Sequence, residues 1–256
     1  MTEAPSGTQS IHRTAAVLRA LAAHAGSGMR LSDVMKMTGL QRPTAHRMLQ
    51  ALIHEGLARQ DAETKRYRLG PALFELGLAA APRFDIRGIC GPSLDRLAAA
   101  TGDTAFLTVR SGYDSVCLDR REGSYPIRVL TVEIGGRRPL GTTAGSLALL
   151  CDLDEAECEE IISFNGPRLQ EYSQLTADGL RRIAKRGRGL GYALNDNDYT
   201  PGITGLGVSL PTAPGRQAIA LSVVALSGRL AEPRRSEIIA MLKSEAKRVA
   251  SEFAAA

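Results

Sequence analysis

Four side chains able to hydrogen-bond with nucleic acid stand close together in the first quarter of the chain. They are Arg42, Thr44, His46 and Arg47. Arginine can bond the O6 and N7 atoms of guanine, and threonine and histidine can reach base edges or phosphate oxygens. Because the major groove of B-DNA admits one α-helix, these side chains can act together if they share the exposed face of a helix.

The surrounding residues predict such a helix. Its apolar face recurs at helical spacing and consists of Ala45, Met48, Leu49, Leu52 and Ile53. Pro43 suits the first helical position, where its missing N–H costs nothing, and Gly56 suits the left-handed position that ends a helix. We therefore expect a reading helix that presents Arg42, Pro43, Thr44, His46 and Arg47 to DNA.

Two helices are predicted upstream of the reading helix. The first, capped by Ser10, has an apolar face made of Ile11, Ala15, Leu18 and Ala22, supported by Val17 and Leu21. The second runs from Leu31 to Gly39, is capped by Ser32 or Asp33, and is followed almost at once by the reading helix. Two helices joined by a tight turn that carries a glycine are typical of a helix-turn-helix.

A basic hairpin follows the reading helix. Strands over 57–60 and 67–69 are joined by a polar turn with Lys65 and Arg66 at its tip, where they would meet phosphate. Arg13, near the start of the first helix, is a candidate clamp on the DNA backbone. A single basic amphipathic helix is also typical of a solvated surface, but helix, turn, helix and basic hairpin together favour DNA binding.

Charge and composition agree with DNA binding by the first third of the chain and argue against a membrane protein or an exported one. The net charge is +5, and up to residue 80 ten basic residues stand against six acidic ones, whereas the remainder has 22 against 21. A polyanion partner is therefore expected for the first third alone. The chain has no apolar run near the ~20 residues that span a bilayer, and its N-terminus lacks a signal peptide, so we expect a cytoplasmic protein without a membrane partner.

The sequence predicts a division into four segments. Residues 1–9 form a disordered arm, 10–70 a winged helix-turn-helix, 71–83 an apolar linker helix, and 84–256 a second domain. In the second domain we expect an antiparallel sheet with packed helices, an α+β architecture. Its strands are predicted at 104–109, 115–119, 127–132, 191–195, 205–210 and 218–226, with a hairpin signal at Gly135-Gly136.

The turn from Thr142 to Ser146 is the candidate small-molecule site. Small residues at a helix start leave backbone N–H groups unpaired beside the positive end of the helix dipole, and such an end binds carboxylate or phosphate. Taken alone, this stretch is explained more simply by ordinary capping by Thr142 or Thr143.

Catalytic patterns are missing from the sequence. All four histidines lie within the first 80 residues, and the second domain has no G-x-S-x-G elbow and no P-loop. Cys90, Cys117, Cys151 and Cys158 show no metal or redox spacing, so neither a metal nor another cofactor is expected. Two alternatives to a ligand-controlled regulator stay open: a reductase using Cys117 or Cys151, and a DNA-binding architectural protein without a ligand.

The chain resembles the IclR family of bacterial transcriptional regulators over nearly its whole length. The resemblance is carried by Gly39-Leu40 with Thr44 to Leu49, by Tyr67 to Gly70, by the turn at Thr142 to Ser146, and by Gly191 to Gly205. It implies a GAF-like effector-binding domain after the winged helix-turn-helix, a linker helix that pairs two subunits, and a homodimer or dimer of dimers on a palindromic operator. Repression is the expected mode of control.

The resemblance also implies a pocket for small organic acids. Carried over residue by residue, the pocket comprises Leu130, Leu140, Thr143, Ala144, Gly145, Asn195, Ile203, Gly205 and Ser227. This chain departs from the family with Pro43 where Ser is frequent, Asn195 where Asp is common, Gly205 where Cys occurs, and Ala225 where some members have Ser. These changes predict a roomier, less anionic pocket and a carboxylate with a bulkier aromatic or aliphatic body.

Overall fold

The computed structural model describes residues 8–24, 26–80, 85–169, 175–211 and 217–255. The chain divides into two compact units, Met1–Asp85 and Ile86–Ala256. Within the described residues, no helix is both long enough and apolar enough to cross a bilayer. Residues 1–7 of the predicted arm and 81–83 of the predicted linker lie outside the described part.

The first unit contains four helices and a two-stranded sheet. Its elements are α1 (Gln9–Ala23), α2 (Leu31–Thr38), α3 (Arg42–His54), β1 (Ala58–Gln60), β2 (Tyr67–Leu69) and α4 (Ala72–Ala80). The two strands are antiparallel, with Arg59 opposite Arg68. α1, α2, α3 and the hairpin enclose one core made of Val17, Ala20, Leu21, Met29, Val34, Leu49, Leu52, Ala58 and Tyr67. The predicted helix-turn-helix and wing are therefore present.

The start and the buried face of α1 differ from the prediction. The helix begins at Gln9, its N-cap is Thr8, and Ser10 lies inside it. Val17 and Leu21 are fully buried, whereas the side chain of Ile11 is 68% exposed. The buried face of α1 is therefore centred on Val17 and Leu21, which the sequence predicts only as supporting residues. The first unit buries the second half of α1 and leaves its first turn exposed to solvent.

Two glycines mark the boundaries of the segment that contains α3. Gly39 ends α2 with φ +67° and Gly56 follows α3 with φ +66°, a left-handed conformation that suits glycine. At the start of α2, the Asp33 carboxylate accepts a hydrogen bond from the Arg30 N–H at 3.0 Å. Arg30 is therefore the N-cap residue of α2, and Asp33, the third residue of the helix, accepts the hydrogen bond from its backbone N–H.

The second unit is a six-stranded antiparallel sheet between two helical layers. Its elements are α5 (Ile86–Thr101), β3 (Thr104–Ser111), β4 (Asp114–Arg121), β5 (Arg137–Pro139), α6 (Ala144–Cys151), α7 (Glu155–Leu169), α8 (Ala177–Leu190), β6 (Ala193–Asp196), β7 (Ile203–Ser209), β8 (Ile219–Leu226), a 3-10 turn (Ser227–Leu230) and α9 (Arg234–Ala255). The strand order is β5-β4-β3-β8-β7-β6. One core lies between the sheet and α5 and α9, and another lies around α6, α7 and α8.

The strand predicted over 127–132 is wrong. The side of β4 available to this segment is paired instead with β5, where Ser115 lies opposite Arg138. Gly135 donates its N–H to the Cys117 carbonyl, and the Gly136 carbonyl accepts from the Cys117 N–H, so these glycines lead the chain into β5. Val129 and Val132 are buried while Leu130 is 48% exposed, and the segment forms an irregular wall.

A buried ion pair network joins β3 to the start of α9. The Asp103 carboxylate, 2% exposed, accepts from Arg229 Nε and from Arg234 Nη2, both at 2.7 Å. We expect Asp103→Ala to lower the free energy of unfolding by about 3 kcal/mol, since a buried pair loses its anion while both arginines keep some exposure. Urea denaturation measures the effect.

Asp178→Ala is the matched control for Asp103→Ala. Asp178 pairs with Arg181 at 2.5 Å but is 78% exposed, so its removal should cost less than about 0.5 kcal/mol. Equal costs for the two variants would contradict the role assigned to the Asp103 network.

Candidate reading helix and ligand cavity

α3 has the two faces that the sequence predicts. Ala45, Leu49 and Leu52 are buried in the first unit's core. The residues predicted to read DNA lie on the other side: Arg42, Pro43, His46 and Arg47 are exposed, and Thr44 is half-buried. Pro43 occupies the second helical position, one later than expected. The exposed row can therefore offer guanidinium and imidazole donors to base edges and phosphates.

The wing holds its two basic tip residues differently. The Asp61 carboxylate accepts from the Thr64 N–H at 2.7 Å, which fixes the turn and lowers the pKa of Asp61. Lys65 is exposed at the tip. Arg66, expected beside it, donates from Nη1 to the Gly28 carbonyl at 2.8 Å and so ties the wing to the turn between α1 and α2. Lys65 is thus an exposed cation at the tip of the wing, whereas Arg66 anchors the wing.

This separation predicts different effects for two alanine variants. Lys65→Ala should weaken binding to all DNA sequences and reduce the slope of log affinity against log salt by about 1, because one phosphate contact is lost. Arg66→Ala should instead lower the melting temperature of the first unit, since it removes the wing's bond to Gly28. Fluorescence anisotropy across a salt series, with thermal denaturation in parallel, separates the two; a reversed pattern would show that the tip is misassigned.

Two other surfaces of the first unit bear on the predictions. Arg13 is exposed on α1, so its side chain is accessible to a phosphate. Within the described residues, α4 carries large apolar side chains that are exposed: Phe74 is 70% exposed, Leu76 61% and Leu78 55%. Exposed apolar side chains this close together mark an interaction surface.

A cavity of about 460 Å³ opens in the second unit at the start of α6. Five of the predicted effector residues line it: Leu130, Thr143, Ala144, Asn195 and Ile203. The remaining wall comes from the irregular segment 127–131, from β5 and β8, and from the loop after β6, through Ile127, Arg128, Val129, Thr131, Arg138, Thr142, Tyr199, Thr200, Val224 and Leu226. A volume of this size suits a drug-sized small molecule.

Four predicted pocket residues are placed elsewhere. Leu140 is fully buried in the core around α6 to α8. The Ser227 hydroxyl donates to Asn197 Oδ1 at 2.9 Å and accepts from Thr204 Oγ1. Gly145 packs on β3, where an added Cβ would lie 2.6 Å from Thr108 Oγ1. The fourth is Gly205, on β7.

Gly205 does not enlarge the cavity as expected. A Cβ at this position would lie 2.7 Å from the Ala144 Cβ, because the start of α6 packs closely on β7 and fills the space that a larger side chain would take. Ala225, the other departure thought to matter, is buried in the core on the opposite face of the sheet. Side chains alternate between faces along β8, so Ser222, Val224 and Leu226 point to the α6 side instead.

The start of α6 has a side-chain cap, yet some of its first backbone N–H groups have no partner within the helix. The Thr143 hydroxyl accepts from the Ser146 N–H at 3.2 Å, and Ser146 Oγ accepts from the Thr143 N–H at 2.8 Å. The first intrahelical bond runs from the Leu147 N–H to the Thr143 carbonyl. Thr143 is therefore the N-cap residue, one of the two that the capping interpretation named, while the N–H group of Ala144, which lines the cavity, stays outside the helix's own bonding and can meet an anion.

Sequence reasoning missed Arg138. Arg138 lines the cavity, and its Nη2 donates to the Thr131 carbonyl at 3.3 Å. Arg128 also lines the cavity, but its Nη1 pairs with Glu122 at 2.9 Å. Among the described residues, the cavity wall contains these two arginines and no carboxylate, so the site favours an anion. The signal in the sequence was the pair Arg137-Arg138 placed directly before the Thr142 turn.

A second cavity of about 20 Å³, room for about one water, adjoins the first and shares Thr131, Arg138, Thr143, Ala144 and Val224 with it. Its other walls include the hydroxyls of Thr108, Ser115 and Ser222 and the thiol of Cys117. Polar groups therefore form part of its wall, beside the apolar side chains of Phe106, Val132 and Val224.

The thiols have no sign of activation. Burial raises the pKa of Cys117 to about 11 and the pKa of Cys151 to about 12, so both are protonated at neutral pH. A nucleophilic cysteine needs a lowered pKa. The raised pKa values of these two thiols therefore do not support the reductase alternative.

Two family models match the chain. The one described as the bacterial transcriptional regulator IclR C-terminal domain covers residues 78–251, and the IclR helix-turn-helix domain covers residues 10–62. The HTH-type transcriptional repressor AllR of Escherichia coli is 27% identical over 234 residues, which span 90% of this chain and 85% of that protein.

Solved structures share the fold. An IclR family regulator from Brucella abortus has a TM-score of 0.78 at 21% identity, covering 98% of this chain and 95% of its own. An IclR homologue from Microbacterium hydrocarbonoxydans, complexed with 4-hydroxybenzoate, has a TM-score of 0.74 at 22% identity, covering 96% and 100%. With an α+β fold, a helix-turn-helix and a family model that matches more than half of its length, this chain belongs to the IclR family of bacterial transcriptional regulators.

Proposed function

We propose that this regulator is a repressor whose affinity for DNA is set by a small organic acid. The observation that carries the proposal is the cavity of about 460 Å³ at the start of α6, in the unit that does not contain the reading helix. A regulator needs a site for its signal that is separate from its site for DNA. The name of the AllR relative, a transcriptional repressor, supports repression.

The proposed effector is a carboxylate with an apolar body. Arg138 and the N–H group of Ala144 favour an anion, and Val224, Leu226 and Ile203 supply apolar contact. The 4-hydroxybenzoate bound by the Microbacterium homologue has both features and supports this class.

The proposed DNA-binding form is a homodimer or a pair of dimers, acting in the cytoplasm. The exposed apolar residues of α4, Phe74, Leu76 and Leu78, would be covered by the second subunit. A two-fold axis then presents one α3 to each half of a palindromic operator, with the half-sites about one helical turn apart. Binding of the acid would favour one of two arrangements of the reading helices.

DNase footprinting on the DNA that flanks the protein's own coding sequence tests the proposal. We expect protection of two related half-sites and a change in protection when an organic acid is added. Protection that no acid alters, or no protected site at all, would contradict it.

Thermal denaturation distinguishes the architectural alternative. An acid at 100 times its Kd should stabilise the protein by about 2.7 kcal/mol, whereas a DNA-binding protein without a ligand would show no shift with any acid of the panel.

A further inference from the structure

One tyrosine joins the loop between β6 and β7 to the start of α6. This loop, residues 197–202, contributes Tyr199 and Thr200 to the cavity wall. The Tyr199 hydroxyl donates a hydrogen bond to the Gly141 carbonyl, in the turn over residues 141–143 that leads into α6. Within the described part of the chain, no other hydrogen bond links this loop to this turn. Burial raises the pKa of Tyr199 well above its usual value, so the hydroxyl remains a donor at neutral pH.

The loop that carries Tyr199 is itself held by hydrogen bonds. Asn197 has φ +61°, a left-handed conformation that asparagine tolerates better than most residues. Its Oδ1 accepts from the Gly202 N–H at 2.8 Å and from the Ser227 hydroxyl at 2.9 Å, so one side chain ties the two ends of the loop to each other and to the turn after β8. Tyr199 therefore extends toward α6 from a fixed base.

The position of Gly141 determines the position of the first residues of α6. Gly141 has φ +97°, and a Cβ there would lie 2.9 Å from leucine side chains of the core around α6 to α8, so its backbone packs directly on that core. Its N–H donates to Ser146 Oγ at 3.2 Å, and the same oxygen accepts from the Thr143 N–H at 2.8 Å. Ala144 follows directly, so a displacement of Gly141 also displaces the N–H that can meet an anion.

We propose that Tyr199 is a positioning residue for the acid: through the Gly141 carbonyl it holds the start of α6 where the Ala144 N–H can bind an anion in the cavity. The inference rests on the proposed function, because it assigns a role to one more residue of the same site. Tyr199 acts through the backbone of the turn, since its hydroxyl is already bonded to Gly141. Hydrogen bonds to an ionised acceptor are about twice as strong as those to a neutral one, so loss of this geometry weakens acids more than neutral ligands.

Isothermal titration of the full-length protein tests the role with acids and neutral amides that share a body. The pairs are benzoate with benzamide, and 3-phenylpropanoate with 3-phenylpropanamide, the amides being measured by competition with the acid. In a pair that binds the wild-type protein, Tyr199→Phe should weaken the acid by about fivefold or more and the amide by less than about twofold.

Tyr113→Phe is the matched control. Tyr113 packs against the same core around α6 to α8, and its hydroxyl donates to Glu160, a residue outside the cavity. Its replacement also removes one phenol hydrogen bond, so it should leave the affinities for acid and amide within about twofold.

A second variant tests whether the loop acts through Tyr199. Asn197→Gly suits the positive φ but removes the acceptor for Gly202 and Ser227, so it should weaken the acid by more than about twofold. Because both residues act on the same turn, the double variant with Tyr199→Phe should bind the acid within about twofold of Tyr199→Phe alone. Fully additive losses would overturn this sequence of contacts.

Hydrogen–deuterium exchange measures the turn without a ligand. In peptides that span residues 141–147, the N–H groups of Gly141 and Thr143 should exchange about fivefold faster or more in Tyr199→Phe than in the wild-type protein, and Tyr113→Phe should leave them unchanged. Unchanged exchange in Tyr199→Phe would overturn the inference.

The outcomes distinguish the inference from the function on which it rests. If the wild-type protein binds acids and Tyr199→Phe weakens acid and amide equally, or weakens neither, the positioning role is overturned and the acid-sensing function stands. If no acid of either pair binds the wild-type protein, the proposed effector class fails, and the role of Tyr199 toward the acid fails with it.

Discussion

Replacing Arg47 with alanine is expected to lower the affinity for the operator by about 10- to 100-fold and to relax the preference for one base pair. Arg47 is exposed on the second turn of α3, where a guanidinium can bond guanine O6 and N7 together, and one such contact is worth about 1–3 kcal/mol of discrimination. Anisotropy with the operator and with a set of single-base variants measures both effects.

Binding of the acid should be unchanged in Arg47→Ala, because the cavity belongs to the other compact unit. Arg182→Ala, which removes an exposed arginine from α8 in the second unit, is the matched control for loss of one positive charge. A variant Arg47→Ala that loses acid binding as well as operator binding would show that Arg47 supports the fold and is not a reader.

The second large effect is expected from Gly205→Ala. The new Cβ would lie 2.7 Å from the Ala144 Cβ, closer than two such atoms approach in proteins, so the start of α6 must move away from β7. We expect affinity for the acid to fall by at least tenfold and the free energy of unfolding to fall by about 1–3 kcal/mol. Calorimetry and urea denaturation measure the two quantities.

Gly189→Ala provides the control for the glycine substitution. Gly189 is an exposed residue of α8, and a Cβ there would meet nothing within 4 Å. Its replacement should leave acid binding unchanged and should stabilise α8 slightly, because alanine favours a helix. If Gly205→Ala bound acid normally, the close approach of α6 to β7 would not be what shapes the cavity.

The reading helix was predictable because its signals are local. The apolar spacing from Ala45 to Leu52 and the glycines at 39 and 56 specify one helix without reference to the rest of the chain. The wing was predictable for the same reason, but the role of Arg66 was not, since its partner Gly28 lies 38 residues away. Contacts at that separation leave no periodic pattern in the sequence.

The cavity was only partly predictable. Thr143 and Ala144 follow from the features of a helix start, and the resemblance to the family pointed to Asn195. The segment 127–132 has the composition of a strand. It is not one because β5 pairs with the edge of β4 that this segment would need. Which of two segments pairs with one sheet edge cannot be determined from the composition of either. Gly205 was misjudged because residue size at one position says nothing about how closely a neighbouring helix approaches.

The central claim is that occupation of the cavity and binding of DNA are coupled within one protein. Coupling free energy is reciprocal, so an acid that changes operator affinity by some factor must itself bind operator-bound protein with an affinity changed by the same factor. The most direct test is calorimetric titration of 4-hydroxybenzoate into the protein, first free and then saturated with the footprinted operator. We expect the two dissociation constants to differ by the factor by which 4-hydroxybenzoate shifts the operator affinity; equal constants would contradict the claim.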